Sequence, residues 1–284
     1  MKIICLFLLL NCVLVFSIDI RGKDTRYLEG YKIREGLITK GKSSDLDIAS
    51  DNEESSKYSI VQNIEDGNFK EAMELIKNKK GDVNEKFGEA EITPLMRAAV
   101  LAKTDLVKAL IKANAEVNVS EKIFGLTPLM YACITGNVEI ISLLIDAGAE
   151  VNHKAESISG ITALRCACDR NKKSAVRCLI ENKADVNLKN KGEQTVLMSV
   201  CEKGNFELAE LLLNAGAKKN EQDINGNTAL MLAAKNNKLD IVDLLIKNKA
   251  IINIVNYSGE SALSIAKKGG HKNIVSLLEK NWAE

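Results

Sequence analysis

Cysteine and histidine supply the most reactive side chains in this chain, with seven of the first and two of the second. Five of the cysteines lie beyond the apolar N-terminal run: Cys133, Cys166, Cys168, Cys178 and Cys201. Cys166-x-Cys168 is half of a metal-ligand set, but structural zinc takes four ligands and no histidine stands near the pair. An exported chain could instead oxidise its cysteines in pairs. Their register argues otherwise. Cys133, Cys168 and Cys201 each fall six residues after a threonine (Thr127, Thr162, Thr195), a position held elsewhere by Ala99 and Ala234. A slot shared by alanine and cysteine reads as a tight apolar contact, so these thiols are predicted to be small buried side chains. Cys178 takes a leucine position. Equivalent positions on stacked helices lie roughly 8–10 Å apart, beyond the reach of a disulfide. His153 sits in a turn and His271 at a helix start. There is no Ser-His-Asp arrangement, no pair of carboxylates in apolar surroundings and no phosphate-cradling glycine loop. The sequence therefore predicts no catalysis, no cofactor and no metal.

What positions these residues is a repeat. Thr93, Thr127, Thr162, Thr195, Thr228 and Ser261 open six near-identical blocks, spaced by 34, 35, 33, 33 and 33 residues. A fixed period of this size marks a stacked solenoid. Hydrophobic content is 46% with only 4% aromatic, so the core is aliphatic, as thin helix-on-helix layers require. Net charge is +1, which leaves no electrostatic footprint for nucleic acid.

Within a block the threonine is a helix N-cap candidate, and Pro94 and Pro128 suit the first helical turn. The pattern predicts a first helix from Pro128 to Thr135 in block two. Gly136, Gly204 and Gly270, with Asn171 and Asn237, stand nine residues after the opening residue, where a left-handed helix terminus is needed. Apolar residues then recur at helical period, as in Ile140, Ile141, Leu144 and in Leu208, Leu211, Leu212. Polar turns with Gly125, Gly160, Gly226 or Gly259 lead to the next opening residue.

Two short helices and a turn every 33 residues resemble the ankyrin repeat. Gly125-x-Thr127-Pro128-Leu129 through Ala147-Gly148-Ala149 to Val151-Asn152 carries the likeness, and Gly226 to Ala234 repeats it. Leu110, Leu144, Leu179, Leu212, Leu245 and Leu278 keep one register, as do Asn118, Asn152, Asn187, Asn220 and Asn253. The family's histidine after the leucine is replaced by Met96, Met130, Arg165, Met198, Met231 and Ser264. That loss implies a more apolar and less rigid stack. The resemblance implies an all-α solenoid over residues 58–284, with six full repeats and a degenerate N-terminal capping repeat beginning near Tyr58. Its partners would be proteins or peptide segments, met on the turn tips and the exposed side of the first helices.

Those surface positions divide along the array. Blocks one to three offer Phe87, Ile92, Val100, Leu101, then Ile123, Phe124, Leu126, Ile134, then Ile158 and Ile161. Blocks four to six offer mainly polar residues such as Lys189, Gln194, Glu202, Lys203, Lys235 and Lys268. Apolar surface of this kind marks an interaction site. Ile92, Leu126 and Ile161 equally suit a role bracing the turn against the helix.

Ahead of the array, Met1-Lys2 and the apolar run from Ile3 to Phe16, followed by Ser17, read as a secretory signal over residues 1–17. Cleavage after Ser17 is the first expectation; an uncleaved anchor or lipidation at Cys12 are the alternatives. Either alternative would give the chain its only membrane contact. Export would place the protein in a periplasm, outside the cell or on its surface. Residues 18–57 read as a flexible polar segment. Tyr27, Leu28, Tyr31, Ile33, Leu37 and Ile38 within it could fold back as a lid, since the tether from Ile38 to Tyr58 spans about 25 Å as a coil. An interaction module is the function expected; a chaperone-like escort and an enzyme are its rivals.

Overall fold

The computed structural model describes residues 59–282. The expected signal (residues 1–17, Cys12 included) and the expected flexible segment or lid (residues 18–57) lie outside them.

Fourteen α-helices among the described residues run in seven pairs. The capping block holds α1 (Ile60–Glu65) and α2 (Phe69–Lys77). Block one holds α3 (Pro94–Val100) and α4 (Thr104–Lys112), and block two α5 (Pro128–Thr135) and α6 (Val138–Asp146). Block three holds α7 (Ala163–Asp169) and α8 (Lys173–Glu181), block four α9 (Val196–Lys203) and α10 (Phe206–Asn214). Block five holds α11 (Ala229–Lys235) and α12 (Leu239–Lys247), and block six α13 (Ala262–Lys268) and α14 (Lys272–Lys280). Each helix packs on its own partner and on the like helix of a neighbouring block, although the second helices of blocks three and four, α8 and α10, do not pack closely on each other. This is the nearest-neighbour arrangement of a solenoid, in which no block buries its apolar face alone.

The opening residues do what their chemistry suggests. Thr93, Thr127, Thr162, Thr195, Thr228 and Ser261 are N-caps whose hydroxyls accept the backbone N–H three residues on. In blocks one and four the lost histidine has a substitute. The thioethers of Met96 and Met198 lie 3.5 and 3.4 Å from the N–H of Thr93 and Thr195, closing the cap from the other side. The capping block lacks the threonine, and Ser59 takes its place with help from a distance. Glu85 accepts the Val61 N–H at 2.6 Å and the Ser59 hydroxyl at 3.1 Å. Leu110, Leu144, Leu179, Leu212, Leu245 and Leu278 are all fully buried.

The helix-to-helix edge alternates in a way the 33-residue period hides. Blocks two and four end their first helix on a left-handed glycine, Gly136 or Gly204, and start the second on an asparagine cap. Blocks three and five place a lysine there instead, and its methylenes lie over the preceding block's glycine. A Cβ on Gly136 would come within 2.6 Å of Lys172 Cδ, and one on Gly204 within 2.5 Å of Lys238 Cδ. At the junction between blocks three and four the chemistry switches, and Asn205 donates to Asn171 at 2.7 Å. Glycine is thus needed at these two sites for its positive φ and for the neighbour it admits.

The asparagines in register form a side-chain ladder across the blocks. Oδ1 of Asn84, Asn118, Asn152, Asn187 and Asn220 accepts an N–H of the next block at 2.8–3.0 Å. Asn152 also donates to the Lys183 carbonyl at 3.4 Å. Net hydrogen bonds of this kind contribute about 0.5–1.5 kcal/mol each. Asn152→Ala is expected to lower stability by about 1 kcal/mol, read as a shift in the urea midpoint without a change in slope; an unchanged midpoint would mean water replaces the ladder at no cost.

Candidate functional site

The turns between blocks project as six fingers, each ending at the next opening residue. Four share one device: a side-chain oxygen at the finger's base accepts the N–H groups of its tip. Asn190 Oδ1 takes Gly192 and Gln194, Asp223 Oδ1 takes Asn225 and Asn227, and Asn256 Oδ1 takes Ser258 and Glu260, all at 2.8–3.0 Å. These three acceptors stand five residues before the opening residue. Finger two is one residue longer, and its acceptor has moved back one place and gained one methylene. It is Glu121, only 2% exposed, accepting Ile123, Phe124 and Leu126 N–H at 2.7, 2.8 and 3.1 Å. Fingers one and three have no such acceptor among the described residues and close through backbone pairing, Phe87 with Ile92 and Ala155 with Ile161. Finger three carries two further residues and a 3-10 turn over Glu156–Ile158.

On this frame the apolar positions separate. Phe87 and Leu101 are open, at 38% and 39% exposure. Val100, Phe124, Ile134 and Ile158 are half-buried against the core, each keeping an accessible side, and Ile123 is also half-buried. Ile92 and Ile161 are half-buried beside their pairing partners. Leu126 is a correction: it is 4% exposed and belongs to the core. Its N–H is held by Glu121, which turns the side chain under the finger. Of the two roles open to Leu126, its burial fits the one that braces the turn against the helix.

Between blocks three and four the first helices carry a polar network. Asp169 accepts Arg165 Nε at 3.0 Å, Ser199 Oγ at 3.3 Å and Lys203 Nζ at 2.6 Å. Arg165 also reaches Gln194 in the next finger at 2.9 Å. The arginine that replaces the family's histidine thus ties blocks three and four together.

The five described cysteines are free and buried. Burial pushes the Cys166, Cys168 and Cys201 thiols up to about 12, and Cys133 well above its ordinary value. Thiolates are the nucleophiles and metal ligands, so these groups are held in their unreactive form. Among the described residues no group of three or more His, Cys, Asp or Glu is placed to hold a metal ion. His271 Nε2 lies 3.3 Å from the Lys235 carbonyl, a contact between neighbouring blocks. His153 Nδ1 lies 3.7 Å from Glu150. No helix among the described residues is long and apolar enough to cross a membrane.

The sequence model described as Ankyrin repeats (3 copies) matches residues 60–155, 153–223 and 197–283. The chain belongs to the ankyrin-repeat family. No curated protein matches it closely enough to add a relative. Ankyrin repeats are generally protein–protein interaction modules and typically non-catalytic. The exposed apolar side chains of this ankyrin array are not confined to its first three blocks. The most open are Ile224 at 61%, Val255 at 51% and Tyr257 at 76%, in fingers five and six. The polar residues around them mask all three in the sequence. Ile224 and Tyr257 stand four residues before the opening residue, the same place as Ile123 and Ile158. Applying that one position to every block would have found them.

Proposed function

We propose that this chain is an exported binding module that holds another protein or peptide segment on fingers one and two and the adjoining first-helix ends, and catalyses nothing. The observation that carries this is the contrast between blocks at like positions. Val100, Leu101 and Ile134 end the first helices of blocks one and two with accessible apolar surface, where blocks four to six place Glu202, Lys203, Lys235 and Lys268. Phe124 and Phe87 add aromatic surface on the adjacent fingers. Large apolar groups in half-open positions are the usual anchors of an interface, because they bury area at little conformational cost. Export rests on the composition of residues 1–17 alone.

Phe124→Asp places a charge in the middle of this surface and leaves the Glu121 cap intact. In recovery of partners from the protein's own compartment, the variant is expected to lose at least tenfold in yield, about 1.4 kcal/mol or more. Undiminished recovery of the same partners would remove this surface as the site.

A further inference from the structure

We propose that the array hinges between blocks three and four. The finger edge is the pivot, Val200 holds the helix-to-helix edge ajar, and the capping block with blocks one to three moves as one body against blocks four to six. Such a hinge uses none of the surface assigned to partner binding, so it stands or falls apart from that reading.

The finger edge is tied by backbone groups. Lys191 N–H of finger four donates to the Ser159 carbonyl of finger three at 2.8 Å. Beyond the second helices the asparagine ladder also crosses this junction, Asn187 Oδ1 accepting the Lys218 N–H at 2.8 Å. The opposite edge differs. α8 and α10 do not pack closely on each other, although every other neighbouring pair of second helices does. At the junctions on either side, lysine methylenes lie over a glycine and fill the helix-to-helix edge. Here two polar side-chain contacts span it, the Asn205–Asn171 hydrogen bond and the Lys173–Glu207 ion pair. Beside them lies a cleft of about 430 Å³, with Cys168, Asp169 and Lys173 on one wall and Val200, Phe206 and Glu207 on the other.

The sequence supplies the cause. Ala98, Ala132, Ala167, Ala233 and Ala266 stand five residues after their opening residues, all buried, but block four places Val200 there, 2% exposed. Two extra methyl groups enter a slot that elsewhere admits a single side-chain carbon, and a close-packed contact answers added volume by shifting backbone. A contact wedged in this way along the first helices leaves the edge beyond it unfilled. Across the rest of the junction the first helices meet through polar groups, Asp169 with Ser199 and Lys203, and Arg165 with Gln194. On opening, such groups trade protein partners for water, whereas an apolar layer loses its buried area outright. Each interface of a solenoid contributes separately, so the array bends where an interface is least costly to open. The swing changes the angle between Val100, Leu101 and Ile134 on one body and Ile224, Val255 and Tyr257 on the other.

The test is pulsed electron spin resonance on the full chain, with nitroxides coupled to ketone-bearing residues introduced in pairs at exposed positions of the second helices. Glu139 with Asp240 spans the hinge; Lys70 with Ser174, and Glu207 with Asn273, lie within the two bodies. The distance distribution of the spanning pair is expected to be at least twice as wide as that of either internal pair. Val200→Ala should narrow it to their width. Equal widths for all three pairs, or a spanning width that Val200→Ala leaves unchanged, would overturn the proposal. A distribution for Glu207 with Asn273 as wide as the spanning one would also overturn it, by placing the looseness within blocks four to six.

Discussion

Glu121→Ala is expected to cost about 2–4 kcal/mol of stability and to weaken partner binding along with it. Three backbone N–H groups converge on this carboxylate, and the residue is 2% exposed. Alanine leaves them without an acceptor, and hydrogen bonds to a charged group contribute about 1.5–3 kcal/mol each before non-additivity is counted. The two backbone hydrogen bonds through Glu121 N–H and C=O remain, so the finger is loosened rather than erased. Oε1 serves Phe124 and Leu126, and Oε2 serves Ile123. Glu121→Gln keeps one acceptor oxygen and should therefore lose about half as much. Both variants would be compared by urea denaturation. A loss under about 0.5 kcal/mol for the alanine variant would show that water satisfies the tip. Because finger two carries Phe124, the alanine variant should also lose partner recovery while the solenoid still folds.

The second large effect is alkaline unfolding. An unperturbed thiol ionises near pH 8.5, whereas burial raises Cys133, Cys166, Cys168 and Cys201, three of them to about 12. The folded state holds these protons more tightly than the unfolded state. Their contribution is therefore complete below about pH 8.5 and is lost as pH rises toward the folded values. Each thiol removes about 1.4 kcal/mol per pH unit in that window. Stability should be flat from about pH 6 to 8 and then fall steeply. Replacing Cys133, Cys168 and Cys201 with alanine is a mild change, because Ala99 and Ala234 fill the same slot fully buried. The triple variant should keep the fold and lose roughly three quarters of the thiol-dependent slope. Lysine and tyrosine titrations are common to both proteins and cancel in the comparison. An unchanged slope in the variant would mean that the thiols do not control it.

These two outcomes fall on opposite sides of what could be read from the residues. The cysteine slot was legible because the repeat places alanine and cysteine at one position, and the structure buries every one of them. The first helix of block two begins and ends where Thr127, Pro128 and Gly136 require. Glu121 was not legible. Its equivalents are shorter residues one place nearer the opening residue, and only the extra residue of finger two explains the shift. Leu126 failed for a related reason: position relative to Thr127 suggested the surface, and the Glu121 cap turns the side chain inward. The lysine-over-glycine contacts alternate every two blocks, so a search at a period of 33 residues could not register them. Ile224 and Tyr257 were present in the pattern, but the charged residues around them set the character assigned to the later fingers. The all-α solenoid was fully legible, because helix caps, turns and buried leucines recur together and no single block has to carry the assignment.

The most direct test of the binding reading is site-specific photocrosslinking in the protein's own compartment. A photoreactive phenylalanine analogue would replace Leu101, Phe124 or Ile134 in turn, with Leu239 as the comparison site. Leu239 is 39% exposed, as open as Leu101, but it begins a second helix in block five, away from the proposed surface. The expected result is a shared cross-linked protein from positions 101, 124 and 134, and none from 239. Cross-links that form equally from 239, or that fail at all three of the others, would contradict the account.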